Sequence, residues 1–114
     1  MTRDPLLASE LALVRSVLRQ HKEIESATLF GSRAKGTHSD RSDVDLALAG
    51  SLGALGAEAI AAELEELPLP YRFDVHALAA ITHAPLLEHI ERVGKVIYRR
   101  VEHPTRPMLM AVEP

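Results

Sequence analysis

Phe30-Gly31-Ser32-Arg33-Ala34-Lys35-Gly36 and, after a polar loop, Asp43-Val44-Asp45-Leu46 are the two stretches that decide the fold class of this chain. The short apolar run over residues 26–30 is typical of a buried strand and ends at the glycine. Residues 32–35 have room for one helical turn, which Gly36 would end. Residues 43–49 alternate between two faces, which is typical of a second strand. A strand, a glycine turn, a short helix and a second strand are therefore predicted in succession.

The rest of the chain continues this alternation of helices and strands. Apolar residues at helical spacing predict three further helices, over residues 4–21, 57–67 and 85–93. Asp4 is a suitable N-cap for the first of them, and Pro5 suits the first helical position. Two further strands are predicted, over residues 71–77 and 96–98. The order αβαβαβαβ predicts a mixed α/β (α+β) domain with a small central sheet and helices packed on it.

Length and composition indicate one globular domain. The chain has 114 residues, of which 46% are hydrophobic and 25% charged. These values are ordinary for a folded domain of this size. We expect the domain to occupy residues 1–100 and residues 101–114 to form a tail, because three prolines follow Glu102. This tail also carries apolar residues, so we expect it to be mobile alone or docked on a partner.

Charge and residue usage exclude several classes of function. The net charge of −3 (13 basic minus 16 acidic residues) gives no general attraction to nucleic acid or to anionic membranes. The sequence has no stripe of basic residues and no basic patch interleaved with aromatic residues, so a nucleic-acid polymerase is disfavoured. The absence of cysteine excludes a disulfide framework, a thiolate metal site and a cysteine nucleophile. No membrane span or secretory signal is visible, so a cytoplasmic location is expected.

The glycine turn has the features of a phosphate-binding loop. Gly31 allows the backbone to turn sharply after a strand and to approach a ligand closely. The hydroxyl of Ser32, together with free amides at the start of a helical turn, would make a local anion site. Arg33 and Lys35 add positive charge nearby, and we favour a ligand contact for Arg33. Gly36 leaves the loop open.

The carboxylates that follow have the features of a metal site. Asp43 and Asp45 are two residues apart on a predicted strand, so their side chains would share a face. Two close carboxylates repel unless a cation lies between them, and magnesium commonly takes one or two carboxylates plus substrate phosphates. Asp74, on another predicted strand, could join the same face. Three such residues can hold two metal ions for an in-line displacement, which indicates phosphoryl or nucleotidyl transfer.

The spacing of Gly31-Ser32, ten residues and Asp43-x-Asp45 resembles the signature of the polymerase-beta-like nucleotidyltransferases. The amino-acid sequence of this stretch and of residues 69–75 is similar to that of the minimal nucleotidyltransferases, the antitoxin partners of HEPN-domain toxins. The similarity extends over about residues 10–99. The resemblance implies that Ser32 holds the triphosphate, that Asp43 and Asp45 bind Mg²⁺ (Mn²⁺ as a substitute), and that Asp74 is the third carboxylate. It also implies transfer of AMP from ATP to a protein hydroxyl, often a tyrosine of the partner HEPN-domain toxin, in a hetero-oligomer with that toxin.

Other interpretations of the same residues are weaker. A calcium loop starting at Asp40 would need glycine and glutamate where Asp45 and Ser51 stand, and no Walker-type Gly-Lys-Ser/Thr is present. The histidines are not paired at metal-ligand spacing; His76 alone shares a face with Asp74 and either lines the site or lies at a strand edge. Two functional alternatives stay open: transfer to a small molecule, and an antitoxin that neutralises its partner by binding alone.

Overall fold

The computed structural model describes residues 6–39 and 42–101. The predicted tail, the predicted N-cap Asp4 and the predicted first helical residue Pro5 lie outside these residues. Within them the chain forms α1 (Ala8–Arg19), β1 (Ile24–Phe30), α2 (Gly31–Lys35), β2 (Val44–Gly50), α3 (Ala54–Glu65), β3 (Phe73–Ala77), a 3₁₀ turn (Leu78–Ala80), α4 (Ala84–Val93) and β4 (Lys95–Arg99). The predicted order of helices and strands is confirmed, and the 3₁₀ turn is the one addition in the described part of the chain.

The four strands form one mixed sheet in the order β3-β2-β1-β4. β1 is antiparallel to both of its neighbours, β2 and β4. β2 and β3 run parallel, which requires the crossover that α3 supplies. β3 and β4 are therefore the two edges of the sheet, and the crossover places the start of β3 beside the start of β2.

Helices cover both faces of the sheet. On one face, Leu46 and Leu48 of β2 are fully buried together with residues of α1 and α3, among them Leu18 and Ile60. On the other face a smaller cluster joins Phe30, Ala47 and Ile90 and so brings α4 against β1 and β2. The alternation that predicted β2 is confirmed, and its second face carries Asp45 beside this smaller cluster.

Element boundaries differ from the sequence predictions by up to four residues. The predicted start of the first helix near residue 4 was wrong, because α1 begins at Ala8 with Leu7 at its N-cap. α1 ends at Arg19, because the amides of Gln20 and His21 bond to the carbonyls of Val17 and Leu18 in a tighter turn. β1 begins at Ile24, two residues early, because Ile24 is fully buried and pairs with Gly50. The prediction that Asp43 lies within β2 was wrong: the strand begins one residue later, and Asp43 ends the preceding loop.

No helix in the described ranges, 6–39 and 42–101, is long and apolar enough to cross a lipid bilayer.

Candidate active site

The glycine turn connects β1 directly to α2. Gly31 has φ of +76°, a left-handed conformation that side chains other than glycine's seldom adopt. A Cβ atom at this position would also collide with Oδ2 of Asp45. Glycine therefore serves two purposes here: it permits the turn, and it allows a carboxylate of β2 to lie against the backbone of the turn.

Asp45 and Asp74 are direct register partners across the parallel pair of β2 and β3. Partners in a parallel pair point to the same side of the sheet, so the two side chains share the face that α4 covers. Asp45 is half-buried, and Asp74 is exposed at the sheet edge. Asp43, exposed just before β2, is close enough to affect the charge on Asp45. The structure therefore brings the three predicted carboxylates to one end of the sheet.

The electrostatics of Asp45 show the cost of this arrangement. Burial, followed by the neighbouring charges of Asp74 and Asp43, raises the pKa of Asp45 to about 6. His76 and Arg33 oppose this change and lower the pKa. A half-buried carboxylate beside two others is destabilised in its ionised form, and a cation placed between them would relieve the repulsion.

The three carboxylates fit a divalent cation only as part of its ligand set. Among residues 6–39 and 42–101, no three acidic or histidine side chains converge into a preformed metal site. Magnesium commonly keeps several waters and is held by one or two carboxylates with substrate phosphates supplying the rest. The crowded, repelling oxygens of Asp45 and its neighbours fit that kind of site, which a bound triphosphate would complete.

Ser32 is half-buried in the first turn of α2. Its carbonyl accepts a hydrogen bond from the amide of Thr37 at 3.0 Å, which closes the turn. In the described part of the chain its hydroxyl has no hydrogen-bond partner. A contact of this hydroxyl with a triphosphate stays a prediction. Lys35 ends the helix and is exposed.

Arg33 occupies a position that the sequence did not predict. Its side chain is 3% exposed, and its Nε donates to the carbonyl of Ser42 at 3.2 Å. The guanidinium lies 4.3 Å from the centre of the Tyr71 ring, and the Tyr71 hydroxyl donates to Oε2 of Glu10 at 2.7 Å. Arg33 thus connects Ser42, the residue before Asp43, to the ring of Tyr71. A direct contact of Arg33 with a ligand stays a prediction.

His76 lies on the Asp74 side of the sheet, as the alternation of β3 indicates. Its Nε2 is 3.3 Å from Oδ2 of Asp74, and its ring packs 5.8 Å from the ring of Phe30. His89 packs on the same Phe30 at 6.1 Å. Neither packing could be read from spacing, because the three rings come from three separate elements. His76 therefore lies within ion-pair distance of the Asp74 carboxylate.

A groove of about 450 Å³ opens beside Asp74 and His76. Its walls come from the first turns of α3 and α4 and from the 3₁₀ turn. They combine apolar side chains, such as Ile81 and Leu86, with polar ones, such as Glu58 and His83. The groove thus gives the exposed carboxylate an adjoining surface of mixed apolar and polar character.

Strand carboxylates beside a glycine-serine turn, on a mixed sheet of this order, define the class of nucleotidyltransferases. The family model for polymerase beta nucleotidyltransferases matches residues 13–103. This chain belongs to that family and is a nucleotidyltransferase. Its sequence is 34% identical over 103 residues to the "Probable protein adenylyltransferase MntA" of Haemophilus influenzae, covering 86% of this chain and 90% of the relative.

Two solved structures have the same fold. One is a crystal structure of a toxin-antitoxin with AMP-PNP, with a TM-score of 0.66 and 22% identity, covering 79% of this chain and 73% of the other. The second is the tri-AMPylated Shewanella oneidensis HEPN toxin in complex with MNT antitoxin, with a TM-score of 0.63 and 18% identity, covering 81% of this chain and 71% of the other. The predicted fold and family are confirmed.

Proposed function

We propose that this chain is the antitoxin of a toxin–antitoxin pair and transfers AMP from ATP to a hydroxyl of its partner, a HEPN-domain toxin. The observation that carries the proposal is the pairing of Asp45 with Asp74 beside Gly31, in a chain that is 34% identical to a probable protein adenylyltransferase. A decayed enzyme that acts by binding alone has no need of an electrostatically costly pair of carboxylates.

In this reaction the acceptor oxygen attacks the α-phosphorus of ATP, the bond between the α-phosphorus and its bridging oxygen to the β-phosphate breaks, and pyrophosphate leaves. Asp43, Asp45 and Asp74 would hold one or two Mg²⁺ ions, with Mn²⁺ as a substitute. The bound cations would neutralise charge on the triphosphate. Ser32 would donate its hydroxyl to a β- or γ-phosphate oxygen.

Asp74 would serve the acceptor. It is exposed, whereas Asp45 is half-buried, and Nε2 of His76 lies 3.3 Å from its Oδ2. A carboxylate within hydrogen-bond reach of the attacking hydroxyl orients that hydroxyl and accepts its proton. The groove beside Asp74 has room for a tyrosine ring, and its mixed apolar and polar walls suit a ring that carries a hydroxyl, which supports a tyrosine as acceptor.

The test is AMP transfer by Asp74→Asn. Because Asp43 and Asp45 remain, we expect this variant to bind ATP with magnesium nearly as well as the wild type, while transfer falls by orders of magnitude. Single-turnover transfer to the purified HEPN partner, read by intact mass, measures the second quantity, and calorimetry measures the first. Glu66→Gln removes a carboxylate from an exposed position at the end of α3 and is the matched control. Wild-type-like transfer by Asp74→Asn would remove Asp74 from the site.

Neutralisation by binding alone is distinguished in the same assay. If the wild-type chain binds its partner and adds no AMP with ATP and magnesium present, the enzymatic proposal is wrong.

A further inference from the structure

A second groove, of about 610 Å³, lies between α1 and β4, at the sheet edge opposite to Asp74. Four arginines line it, Arg15, Arg19, Arg99 and Arg100, and no acidic residue does. The chain as a whole carries a net charge of −3, so this concentration of positive charge runs against its composition. We call it the arginine groove.

Within the described part of the chain, two of the four arginines donate hydrogen bonds to backbone carbonyls, and the other two do not. Arg100 donates to the carbonyls of Ile24 and His21, at 3.1 and 2.6 Å, and Arg15 donates from Nε to the carbonyl of Ile97 at 2.7 Å. Arg19 and Arg99 are exposed, and within residues 6–39 and 42–101 neither forms an ion pair with a carboxylate. Their charges are therefore available to an anionic partner at little structural cost.

The floor of the arginine groove is an edge strand. β4 pairs with β1 on one side, and no strand of the described ranges pairs with its other side. Val96 is 52% exposed, and Val101, just beyond the strand, is 78% exposed. Arg15 already binds the carbonyl of Ile97, so a docking segment would pair with the other backbone groups of this edge. A strand edge with exposed valines is a template for another extended segment.

We propose that the arginine groove docks an extended acidic segment of the partner protein, which adds a strand to β4 and places its carboxylates on Arg19 and Arg99. The identity of the partner rests on the proposed function; the chemistry of the segment rests on the groove. A single-stranded RNA is disfavoured as occupant, because Tyr98, the aromatic residue in the lining, is buried and offers no surface on which a base could stack.

The position of the arginine groove determines what docking can do. Three strand spacings separate β4 from β3 and the docked strand adds a fourth, so at about 4.8 Å each the docked segment lies roughly 19 Å from the strand of Asp74. A small acceptor molecule cannot occupy both places, whereas a folded protein can. Docking therefore raises the effective concentration of the acceptor at Asp74 and leaves the chemical step unchanged.

The test compares the double variant Arg19→Glu/Arg99→Glu with the wild type and with Arg92→Glu, an exposed arginine of α4 on the other face of the sheet. For the double variant we expect the Kd for the purified HEPN partner to rise about tenfold or more, and the KM for the partner to rise in parallel. The kcat at saturating partner and the affinity for ATP should stay at the wild-type values. The milder Arg19→Gln/Arg99→Gln replaces the double variant if charge reversal prevents folding.

Hydrogen exchange supplies the second measurement. Amides of residues 95–101 should become protected when the partner binds, and poly-L-glutamate should displace the partner from the wild type more effectively than poly-uridylate of equal charge. An unchanged Kd in both double variants, unprotected amides in β4, or preferential displacement by poly-uridylate would each overturn the proposal.

These outcomes are separate from those of the proposed function. AMP transfer with an unchanged Kd in the double variants would leave the enzyme intact and remove the docking site. Arginine-dependent binding without AMP transfer would do the reverse. If the wild type forms no complex with the HEPN protein, both the partner and this docking role are wrong.

Discussion

Oδ2 of Asp45 occupies the space that a Cβ atom on Gly31 would require. The turn after β1 and the carboxylate of β2 are therefore built together, so the turn proposed to bind nucleotide and the residue proposed to bind metal cannot be changed independently. This contact also fixes how closely a phosphate held by the turn would approach a cation held by Asp45.

Gly31→Ala should abolish AMP transfer and lower stability, because alanine would meet both an unfavourable φ and the Asp45 carboxylate. The left-handed backbone alone costs roughly 1–2 kcal/mol. Gly36, with φ of +79°, is the control for that cost, and Gly53, whose added Cβ would meet nothing within 4 Å, is the control for substitution in open space. Thermal unfolding and the transfer assay check the prediction. If Gly31→Ala transferred AMP as well as Gly36→Ala, the close approach of Asp45 to Gly31 would have no effect on activity.

The elements and the carboxylates of the site could be predicted from the sequence because they depend on local pattern. Alternation placed Asp45 on one face of β2 and Phe73 and Val75 inward on β3, which leaves Asp74 outward. The register that sets Asp45 opposite Asp74 could not be predicted, because it depends on how the crossover helix α3 packs. Pattern indicates which face a residue occupies, and tertiary packing decides its neighbour.

The burial of Arg33 could not be predicted from the sequence for a different reason. An arginine in a short helical turn is ordinarily exposed, and nothing local indicates a partner. Its neighbour Tyr71 is 38 residues away along the chain, and Tyr71 in turn depends on Glu10, 61 residues before it. Contacts between side chains so far apart in sequence leave no periodic signal.

Asp45→Asn should stabilise the metal-free protein at neutral pH while abolishing transfer. The pKa of Asp45 is about 6 in the folded protein against an ordinary 3.8, so the folded state binds the proton more tightly. The stability that protonated Asp45 supplies is complete below pH 3.8 and is lost as the pH rises through 6. Asparagine stays uncharged at every pH, so the variant does not lose this stability as the pH rises. In EDTA, the melting temperature of the variant should exceed that of the wild type by a few degrees at about pH 7.5, and the difference should vanish near pH 4.

The sign of the difference in melting temperature between Asp45→Asn and the wild type tests this prediction. A lower melting temperature for Asp45→Asn at about pH 7.5 would show that the carboxylate makes stabilising contacts that outweigh its repulsion. Asp43→Asn, at an exposed position ahead of β2, is the matched control, and its effect on stability should be smaller.

Ser32→Ala should weaken the binding of ATP with magnesium without disturbing α2. The loss of one hydrogen bond to a charged group costs about 1.5–3 kcal/mol, or roughly ten- to a hundredfold in affinity. Calorimetry with ATP and with AMP should show the loss chiefly for ATP, since the proposed contact is to the β- or γ-phosphate. Ser51→Ala, at an exposed position after β2, is the control. Equal ATP affinity in the two variants would limit Ser32 to a role in the turn.

His21→Asn should lower stability more in mild acid than in mild alkali. The Nε2 of His21 lies 2.9 Å from Oε1 of Glu63, and this hydrogen bond raises the pKa of His21 above 6.5. A raised histidine pKa contributes stability that is complete below 6.5 and is lost as the pH rises through the folded value. The melting temperature should therefore fall further below that of the wild type at about pH 5.5 than at about pH 8.5. An equal loss of melting temperature at the two pH values would contradict the prediction.

Arg33→Lys should impair the enzyme through the loop before Asp43. A lysine keeps the charge near Asp45 but loses the planar guanidinium that stacks on Tyr71 and the Nε donor to Ser42. With Ser42 released, the position of the next residue, Asp43, is no longer fixed, so we expect kcat to fall more than the affinity for ATP.

The variant Tyr71→Phe separates this positioning role from a direct contact with ligand. It keeps the ring under Arg33 and removes only the hydroxyl that donates to Glu10 at 2.7 Å. If Arg33 acts by holding the loop, Tyr71→Phe should lower kcat in the same direction but by less, and Lys35→Ala, an exposed neighbour, should leave it unchanged. If Arg33 binds a phosphate directly, Arg33→Lys should instead raise the Kd for ATP, and Tyr71→Phe should have no effect on kcat. Calorimetry with ATP and single-turnover transfer, run on the same preparations, decide between the two roles.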